Sequence, residues 1–433
     1  MAKSLSYIVA FAAISIYFVY FRNKNTLPPF YDGKYLPEFR QVAEIFRQQV
    51  ISGKEIGGNF AAYYKGRLVV DLWGGYADAE SLQKWRNDTL PLTFSTTKGV
   101  VSILAAKMVD QKLLDYKRLV ADYWPEFGCN GKENITVEML LSHTGGLSYL
   151  DTPISMLDIQ YNQRKIEEVL AKERPKWPPG SAQAYHSITF GAFVDLLLSK
   201  ADPKKRRVDQ IFKEEIGKPF DIDFQIGLPR AEAFRAARFD HFSLYEFIQS
   251  CLFEPSMWGI VLKILEPENI LMKASECVTD QTTNDPYKRE VALSSLNGHG
   301  TARALAKLYG ILANGGKDGD TQLLSPTTLE AFTTPKNLGI SLDFGTEVVM
   351  GRGVFYHKNP KNEGVYGHPG YGGQNAYADP NHKVGVAYLT NDLSVYGLGN
   401  DPKFLALEEK LYSCLDNIKD SQLSSNYETV VPI

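Results

Sequence analysis

The sequence predicts a mixed α/β fold of the α+β type, in which one antiparallel sheet takes strands from both ends of the chain and helices flank it. Strand-like segments separated by turn residues lie near the amino end and again in the last third. The stretch between them is mostly helical. Strands at both ends and helices in the middle indicate one sheet interrupted by a helical insertion domain.

This pattern divides the chain into three parts. We expect an N-terminal anchor with its flank, one large domain and a loosely attached polar tail, at residues 1–25, 26–415 and 416–433. Within the large domain we expect a sheet part and a helical part, at about 35–94 with 286–415 and about 95–285 respectively.

The front end predicts a membrane anchor. Residues 4–21 contain no charged side chain and are just long enough to cross a hydrocarbon core. A cleaved signal peptide is the alternative, but no small-residue cleavage site follows Phe21. Lys3 and the amino terminus balance Arg22 and Lys24, so the membrane orientation stays open.

After the anchor, the sequence predicts a helix and a hairpin. Apolar residues at helical spacing over 36–50 mark one face of an amphipathic helix. Residues 59–64 and 67–73 are typical of strands, and Lys65-Gly66 between them fits a tight turn. We expect Gly74-Gly75 to end the pair.

The helical part is organised around Ser95-x-x-Lys98, which stands at the start of a long apolar helix. Residues at i and i+3 share a face, so a hydroxyl lies beside an amine. An amine taken out of water loses basicity, so Lys98 can accept the Ser95 proton. An ordinary helix N-cap is the alternative for Ser95. The same spacing at Ser81 and Lys84 lies in a polar run, so we expect no chemistry there.

The rest of the helical part gives weaker signals. A short helix over 135–141 ends at His143, for which a loop that caps helix ends is favoured over a catalytic role. An apolar helix is predicted over 188–198. Residues 202–285 show little periodicity, and 251–272 predict an irregular or lid-like insertion.

The last third predicts a helix, three strands and a closing helix. Gly298 opens the first helix, which ends at residues 314–316. The three strands lie at 364–368, 374–379 and 384–390, with a turn at 380–383. The closing helix has its apolar residues on one side, at Phe404, Leu407, Leu411 and Leu415.

Composition and missing motifs exclude several functions. A net charge of -3 without a basic stripe predicts no nucleic-acid partner. Gly-x-Ser-x-Gly, His-x-His, His-Glu-x-x-His and Walker-type motifs are missing, so we predict no cofactor and no metal. The four cysteines, Cys129, Cys251, Cys277 and Cys414, are too far apart to signal a zinc site or a disulfide framework, and their pairing stays open.

Three motifs occur in a fixed order: Ser95-x-x-Lys98, Tyr185-His186-Ser187 and His368-Pro369-Gly370-Tyr371. With them the chain resembles the serine β-lactamase and penicillin-binding-protein superfamily, most closely its class C-like esterases and mitochondrial β-lactamase-like proteins. The resemblance covers about residues 59–391. It also takes in Leu-Leu-Ser-His-Thr-Gly-Gly-Leu at 140–147 and Trp-Pro-Pro-Gly at 177–180.

The resemblance implies a role for each motif. Ser95 attacks a carbonyl to form an acyl-enzyme, Lys98 takes its proton, and Tyr185 relays a proton to the leaving group. We expect a charged Lys98 to keep Tyr185 partly ionised. The oxyanion hole consists of the backbone N–H groups of Ser95 and Tyr371, and the substrate-binding residues are Ser187, His368 and Gly370.

Two departures from the family affect the expected substrate. Ser187 stands where the family usually has asparagine; its hydroxyl can still bind Lys98, with a shorter reach. His368-Pro369 replaces a Lys-Thr pair, which removes a permanent cation, a hydroxyl and a backbone donor. The resemblance implies that those groups hold the carboxylate of a β-lactam, so we predict poor β-lactam turnover and hydrolysis of an ester, a small amide or a peptide.

A structural protein is the alternative to an enzyme. Some animal relatives in this family are mitochondrial and assemble into filaments, so a self-associating scaffold with weak or no catalysis is a second hypothesis. Homo-oligomers and a mitochondrial or secretory membrane location follow as open expectations.

Overall fold

The computed structural model describes residues 27–239, 266, 268–336, 338–418 and 423–430. The predicted anchor at 4–21, Cys251 and most of the predicted insertion at 251–272 lie outside these residues. Among the residues described, no helix is both long enough and apolar enough to span a bilayer. Cys129, Cys277 and Cys414 are free thiols.

The strands come from both ends of the chain. In chain order they are β1 Tyr31–Tyr35, β2 Gly57–Tyr64, β3 Arg67–Asp78, β4 Gln83–Lys84, β5 Ile154–Ser155, β6 Phe224–Ile226, β7 Val278–Thr279, β8 Gly298–Gly300, β9 Lys317–Asp318, β10 Thr321–Gln322, β11 Phe355–Lys358, β12 Gly364–Gly367, β13 Asn375–Asp379, β14 Val384–Thr390 and β15 Glu428–Thr429. In the described part, nine of them form one antiparallel sheet in the order β11-β12-β13-β14-β2-β3-β1-β15, with β4 beside β3. The prediction of one sheet built from both termini is confirmed.

Helices pack against both faces of this sheet. In chain order the helices are α1 Arg40–Ile51, α2 Thr96–Asp110, α3 Val137–Leu141, α4 Met156–Tyr161, α5 Gln163–Lys172, α6 Thr189–Ala201, α7 Val208–Phe212, α8 Ile270–Ser275, α9 Pro286–Arg289, α10 Ala302–Ala313, α11 Pro326–Phe332 and α12 Pro402–Asp416. The helices predicted near the amino end, after Ser95, after Gly298 and near the carboxyl end are confirmed as α1, α2, α10 and α12.

Alternate residues of β14 face two separate cores. Val384, Val386 and Tyr388 belong to the core beneath α1 and α12, whereas Ala387 and Leu389 belong to the larger core that contains α2, α6 and α10. This alternation follows from the two-residue period of a strand. The larger core matters for function because it buries α2, the helix that begins directly after Ser95.

The hairpin of β2 and β3 confirms the predictions for its turn and for its end. Lys65 and Gly66 have φ values of 51° and 77°, as a type I′ turn requires. Gly74-Gly75 ends the pair as predicted, because Gly57 and Gly75 are its last partners. The strand β3 itself continues to Asp78, where it pairs with β4.

The expectation of a loosely attached tail is wrong, because the tail forms a long-range contact. The tail is not loose at β15, because Glu428 and Thr429 pair with the open edge of β1. The stretch 202–285 is also partly regular, since β6 pairs with β8 and α8 ends the predicted insertion. Neither strand has a periodic signal, because each is only two or three residues long.

Candidate active site

Ser95 lies at the N-cap position of α2, directly after a strained residue. Phe94 has a φ of 45°, in the left-handed region that a bulky side chain adopts only under constraint. Gly298 holds this turn, because its carbonyl accepts the Thr93 N–H at 2.8 Å and its N–H donates to Thr97 Oγ1 at 3.0 Å. The Ser95 side chain makes no capping hydrogen bond. The ordinary N-cap alternative therefore does not explain this serine.

The Lys98 amine is completely buried and faces Ser95. Its Nζ lies 3.0 Å from Ser95 Oγ and donates to the Ser295 carbonyl oxygen at 2.5 Å. Burial holds the pKa of Lys98 well below its usual range, and none of the described carboxylates pairs with it to oppose the shift. A neutral amine that gives one N–H to Ser295 retains a lone pair for the serine proton. The geometry thus places a base beside the nucleophile.

Tyr185 places a phenol next to the same amine. Lys98 Nζ lies 5.0 Å from the centroid of the Tyr185 ring. The Tyr185 N–H donates to Asp343 Oδ2 at 3.0 Å, and the ring packs edge-on against Phe355. The hydroxyl is buried and makes no hydrogen bond of normal geometry within the described residues, although Ser95 is close enough to influence its pKa.

The protonation states of these two groups differ from the expectation. Burial raises the pKa of the Tyr185 phenol above its usual range and lowers that of the Lys98 amine. Burial therefore favours the neutral form of both groups, in contrast to the expectation that a charged Lys98 keeps Tyr185 partly ionised. The reason is that desolvation outweighs every opposing interaction at both groups. A neutral phenol can donate a proton.

The segment after β12 lies against the turn that carries Ser95. A Cβ on Gly370 would lie 2.6 Å from the Thr93 carbonyl oxygen, so only glycine fits this approach. The exposed Tyr371 packs its ring edge-on against Phe94, with centroids 5.5 Å apart. The Ser95 N–H has no acceptor in the described part of the chain. The two segments predicted to form the oxyanion hole are therefore in contact.

His368 lies behind the site and not on its wall. The side chain is 1% exposed, and its Nδ1 lies 2.6 Å from the Pro369 carbonyl oxygen. Burial and the nearby Lys98 lower the pKa of His368 to about 3, so the ring is neutral. The structure does not give this predicted substrate-binding residue a surface that a substrate can reach.

Ser187 does not form the predicted bond to Lys98. Among the described residues, the amine of Lys98 bonds Ser95 and Ser295 only. The Ser295 carbonyl and the Asp343 carboxylate, which holds the Tyr185 N–H, are the partners that sequence reasoning missed. No residue-type signal could have identified Ser295, because any residue supplies a backbone carbonyl.

His143 is buried in the same cluster but contacts Tyr185 and not Ser95. The two ring centroids are 5.0 Å apart, and His143 Nδ1 accepts the His186 N–H at 3.1 Å. The neighbouring Ser142 hydroxyl donates to a carbonyl of α3 at 2.7 Å, as the helix-capping interpretation of this loop predicts. Burial holds the pKa of His143 well below its usual range.

One group of side chains in the described part has the ligand types of a metal site, away from Ser95. It consists of Glu363, Asp379 and His382. The Asp379 carboxylate already accepts bonds from Tyr412, at 2.5 Å, and Asn359, at 2.7 Å. The group is therefore satisfied as a hydrogen-bond network.

A large cavity in the described part lies away from Ser95. It measures about 950 Å³ and is lined by parts of 209–232 together with Arg235, Arg303 and Lys307. Arg303 is already paired with Asp71 at 2.7 Å. Chemistry, and not cavity size, identifies the Ser95 site.

Comparisons with known proteins give consistent matches. Residues 42–403 match the family model described as Beta-lactamase. A protein of Mycobacterium tuberculosis (strain ATCC 25618 / H37Rv), named Esterase/beta-lactamase LipL, is 30% identical over 370 residues, which cover 82% of each chain. The crystal structure of a family VIII carboxylesterase is 31% identical, with a TM-score of 0.75 over 89% of this chain and 99% of that one. A penicillin-binding protein homolog from Caulobacter crescentus is 32% identical, with the same TM-score and coverage.

Proposed function

Because the chain belongs to the beta-lactamase family, we propose that it hydrolyses an ester or a small amide through an acyl-enzyme on Ser95. The resemblance predicted from the motifs and the assignment to the serine hydrolases are confirmed by those matches. The observation that carries the proposal is the buried Lys98 amine, 3.0 Å from Ser95 Oγ and without a carboxylate partner in the described part. A serine hydroxyl is a weak nucleophile until such a base removes its proton.

Acylation follows from these positions. Lys98 Nζ takes the Ser95 proton as Oγ bonds to the substrate carbonyl carbon, and the N–H groups of Ser95 and Tyr371 bind the oxyanion. The bond to the leaving group then breaks. Tyr185 gives its proton to the leaving oxygen or nitrogen and recovers one from the Lys98 ammonium. The products are a free alcohol or amine and an acyl-enzyme.

Deacylation uses the same groups, but the protons move through them in the opposite direction. The restored neutral Lys98 takes a proton from water through Tyr185, and the hydroxide equivalent bonds to the acyl carbon. The bond from Ser95 Oγ to the acyl carbon breaks, and Oγ regains a proton from the ammonium. A carboxylic acid leaves and the site returns to its starting state.

The charge of the site supports esters over β-lactams as substrates. Burial lowers the pKa values of Lys98, His143 and His368 and raises that of Tyr185, so it favours the neutral form of all four side chains. A β-lactam carboxylate would therefore lack a permanent cation at this position. Loss of one charge-assisted bond costs roughly 1.5–3 kcal/mol, which lowers turnover of a β-lactam about tenfold or more relative to a site that has the cation. We therefore expect slow hydrolysis of nitrocefin beside ready hydrolysis of p-nitrophenyl butyrate. The relative named Esterase/beta-lactamase LipL makes this measurement informative.

Attachment to a membrane through residues 4–21 is a separate part of the proposal. Its support is the uncharged stretch in the sequence. Carbonate extraction of cell membranes should leave the full-length chain in the pellet and release a 26–433 variant.

The nucleophile of the proposed acyl-enzyme is tested by intact mass after the full-length chain and its Ser95→Ala variant are exposed to a fluorophosphonate. A single adduct on the wild type, mapped to Ser95 and lost in the variant, is expected. Labelling of both proteins would assign the nucleophile to another residue. No adduct on either folded protein would contradict the proposal and favour the self-associating scaffold, which sizing of the same sample would test.

A further inference from the structure

Asp195 on α6 binds the segment whose Ser295 carbonyl accepts a hydrogen bond from the Lys98 amine. The Ser295 carbonyl oxygen is 2.5 Å from Lys98 Nζ. The preceding residue, Ser294, donates its N–H to Asp195 Oδ2 at 3.0 Å and its hydroxyl to Asp195 Oδ1. Asp195 is therefore connected to the base through one residue of backbone and two hydrogen bonds.

Direct packing reinforces these bonds. A Cβ on Gly191 would lie 2.3 Å from the Ser295 nitrogen, so α6 and the segment are in backbone contact. Gly191 and Asp195 are four residues apart and share one face of α6. At the other end, Asn297 Nδ2 donates to the Lys288 carbonyl oxygen at 2.9 Å. The Ser295 carbonyl is thus held from both sides.

The charged groups that act on Asp195 are Arg207 and Asp209, and neither forms an ion pair with it. Arg207 donates to Gln160 Oε1 at 2.8 Å and lies 3.4 Å from Asp209 Oδ1. Burial is the main influence and raises the pKa of Asp195 to about 7, against the bonds from Ser294 and the charge of Arg207. The carboxyl therefore changes its protonation state near neutral pH.

We infer that Asp195 is a positioning residue, whose ionised carboxylate fixes the Ser295 carbonyl against Lys98 and so supports acylation of Ser95. An ionised carboxylate accepts both the N–H and the hydroxyl of Ser294. A protonated carboxyl keeps an acceptor for the N–H, but its other oxygen becomes a donor, so the bond to the hydroxyl must change. The inference rests on the proposed function, because Lys98 needs a fixed partner only if it serves as the base.

The test is the pH profile of Asp195→Asn in the full-length chain, with p-nitrophenyl butyrate as substrate. The asparagine mimics the protonated carboxyl at every pH. We expect kcat about tenfold below wild type at pH 8.5 with KM little changed, and a ratio near one at pH 5.5, where wild-type Asp195 is itself protonated. Asp209→Asn removes a neighbouring carboxylate that does not bind Ser294, so the acid limb should remain and move only slightly to lower pH, because Asp209 raises the pKa of Asp195.

Several outcomes would overturn the inference. A ratio of variant to wild type that is equal at all pH values would describe a general structural defect, and equal activity at pH 8.5 would remove the effect altogether. If Asp195→Asn fails to fold, Ser294→Ala should show about a threefold loss at pH 8.5 that disappears at pH 5.5; no loss would contradict the inference. If fluorophosphonate does not label Ser95 of the wild type, the proposed function fails together with the inference. If Ser95 is labelled but the pH profiles of wild type and Asp195→Asn run parallel, only the inference fails.

Discussion

Two segments of this chain have a serine and a lysine three residues apart, and they differ in every physical respect except that spacing. Ser81 and Lys84 are exposed. The Ser81 N–H donates to Asp78 Oδ1 at 3.2 Å, and Lys84 Nζ lies 4.6 Å from the centroid of the Phe30 ring. Ser95 is half-buried and Lys98 has no exposed surface. The spacing alone therefore specifies neither a helix nor a contact between the two side chains, and the apolar helix that follows Ser95 determines what the amine can do.

Burial alone is not enough, as Lys403 shows. Its side chain is 12% exposed, but Asp392 Oδ2 lies 3.1 Å from Nζ and Glu55 Oε1 lies 3.8 Å away. Those carboxylates raise the pKa of Lys403 above its usual range despite the burial. An opposite charge nearby favours the charged form, whereas desolvation opposes it. Lys98 becomes a base because it has the burial of Lys403 without the carboxylates.

The difference between Lys98 and Lys84 should have its largest effect on activity, when each of the two amines is removed in turn. Lys98→Met should lower kcat by about 10³-fold or more, because the Ser95 proton loses its acceptor. Lys84→Met is the matched control and should hydrolyse p-nitrophenyl butyrate at the wild-type rate. Comparable losses in both variants would show that the second copy of the motif takes part, which contradicts the proposed site.

A smaller loss is expected when only the phenol oxygen is removed. Tyr185→Phe keeps the ring contact with Phe355 and should lower kcat by about 10²-fold, because a proton donor to the leaving group is lost. Stability should be unchanged, since the hydroxyl makes no hydrogen bond of normal geometry in the described part. Tyr309→Phe removes another buried hydroxyl without a partner there and should leave kcat unchanged. Equal rates for wild type and Tyr185→Phe would remove Tyr185 from the mechanism.

The sequence predicted those features that depend on local spacing. The sheet strands and the pairing of Ser95 with Lys98 follow from periods of two and of about three and a half residues, which a chain displays without tertiary context. The roles of Ser295 and Asp343 do not follow, because each meets its partner across more than 150 residues of sequence and neither belongs to a motif. The neutral state of Tyr185 also could not be predicted, since it depends on how much water the folded structure removes.

The free energy of unfolding should report the lowered pKa of Lys98 directly. Between that lowered pKa and the unfolded value of about 10.4, the unfolded state binds one proton more, so stability rises with pH. The contribution is at most about 1.4 kcal/mol per pH unit. Urea unfolding from pH 7 to pH 10 should show this slope in wild type and in Lys84→Met, and a flatter curve in Lys98→Met. Identical slopes in all three proteins would mean that Lys98 keeps an ordinary pKa in the folded chain.

The smallest effect should come from Ser187, whose predicted bond to Lys98 is missing from the described structure. Ser187→Ala should change kcat by less than about twofold, because it removes no acceptor from the amine. Ser295→Ala is the matched control: its Oγ is buried without a partner, and the backbone carbonyl that binds Lys98 is retained. Both variants are compared in p-nitrophenyl butyrate hydrolysis. A loss above about tenfold in Ser187→Ala alone would mean that this hydroxyl reaches Lys98 or the substrate during the reaction, and would transfer to Ser187 the role that the structure gives to the Ser295 carbonyl.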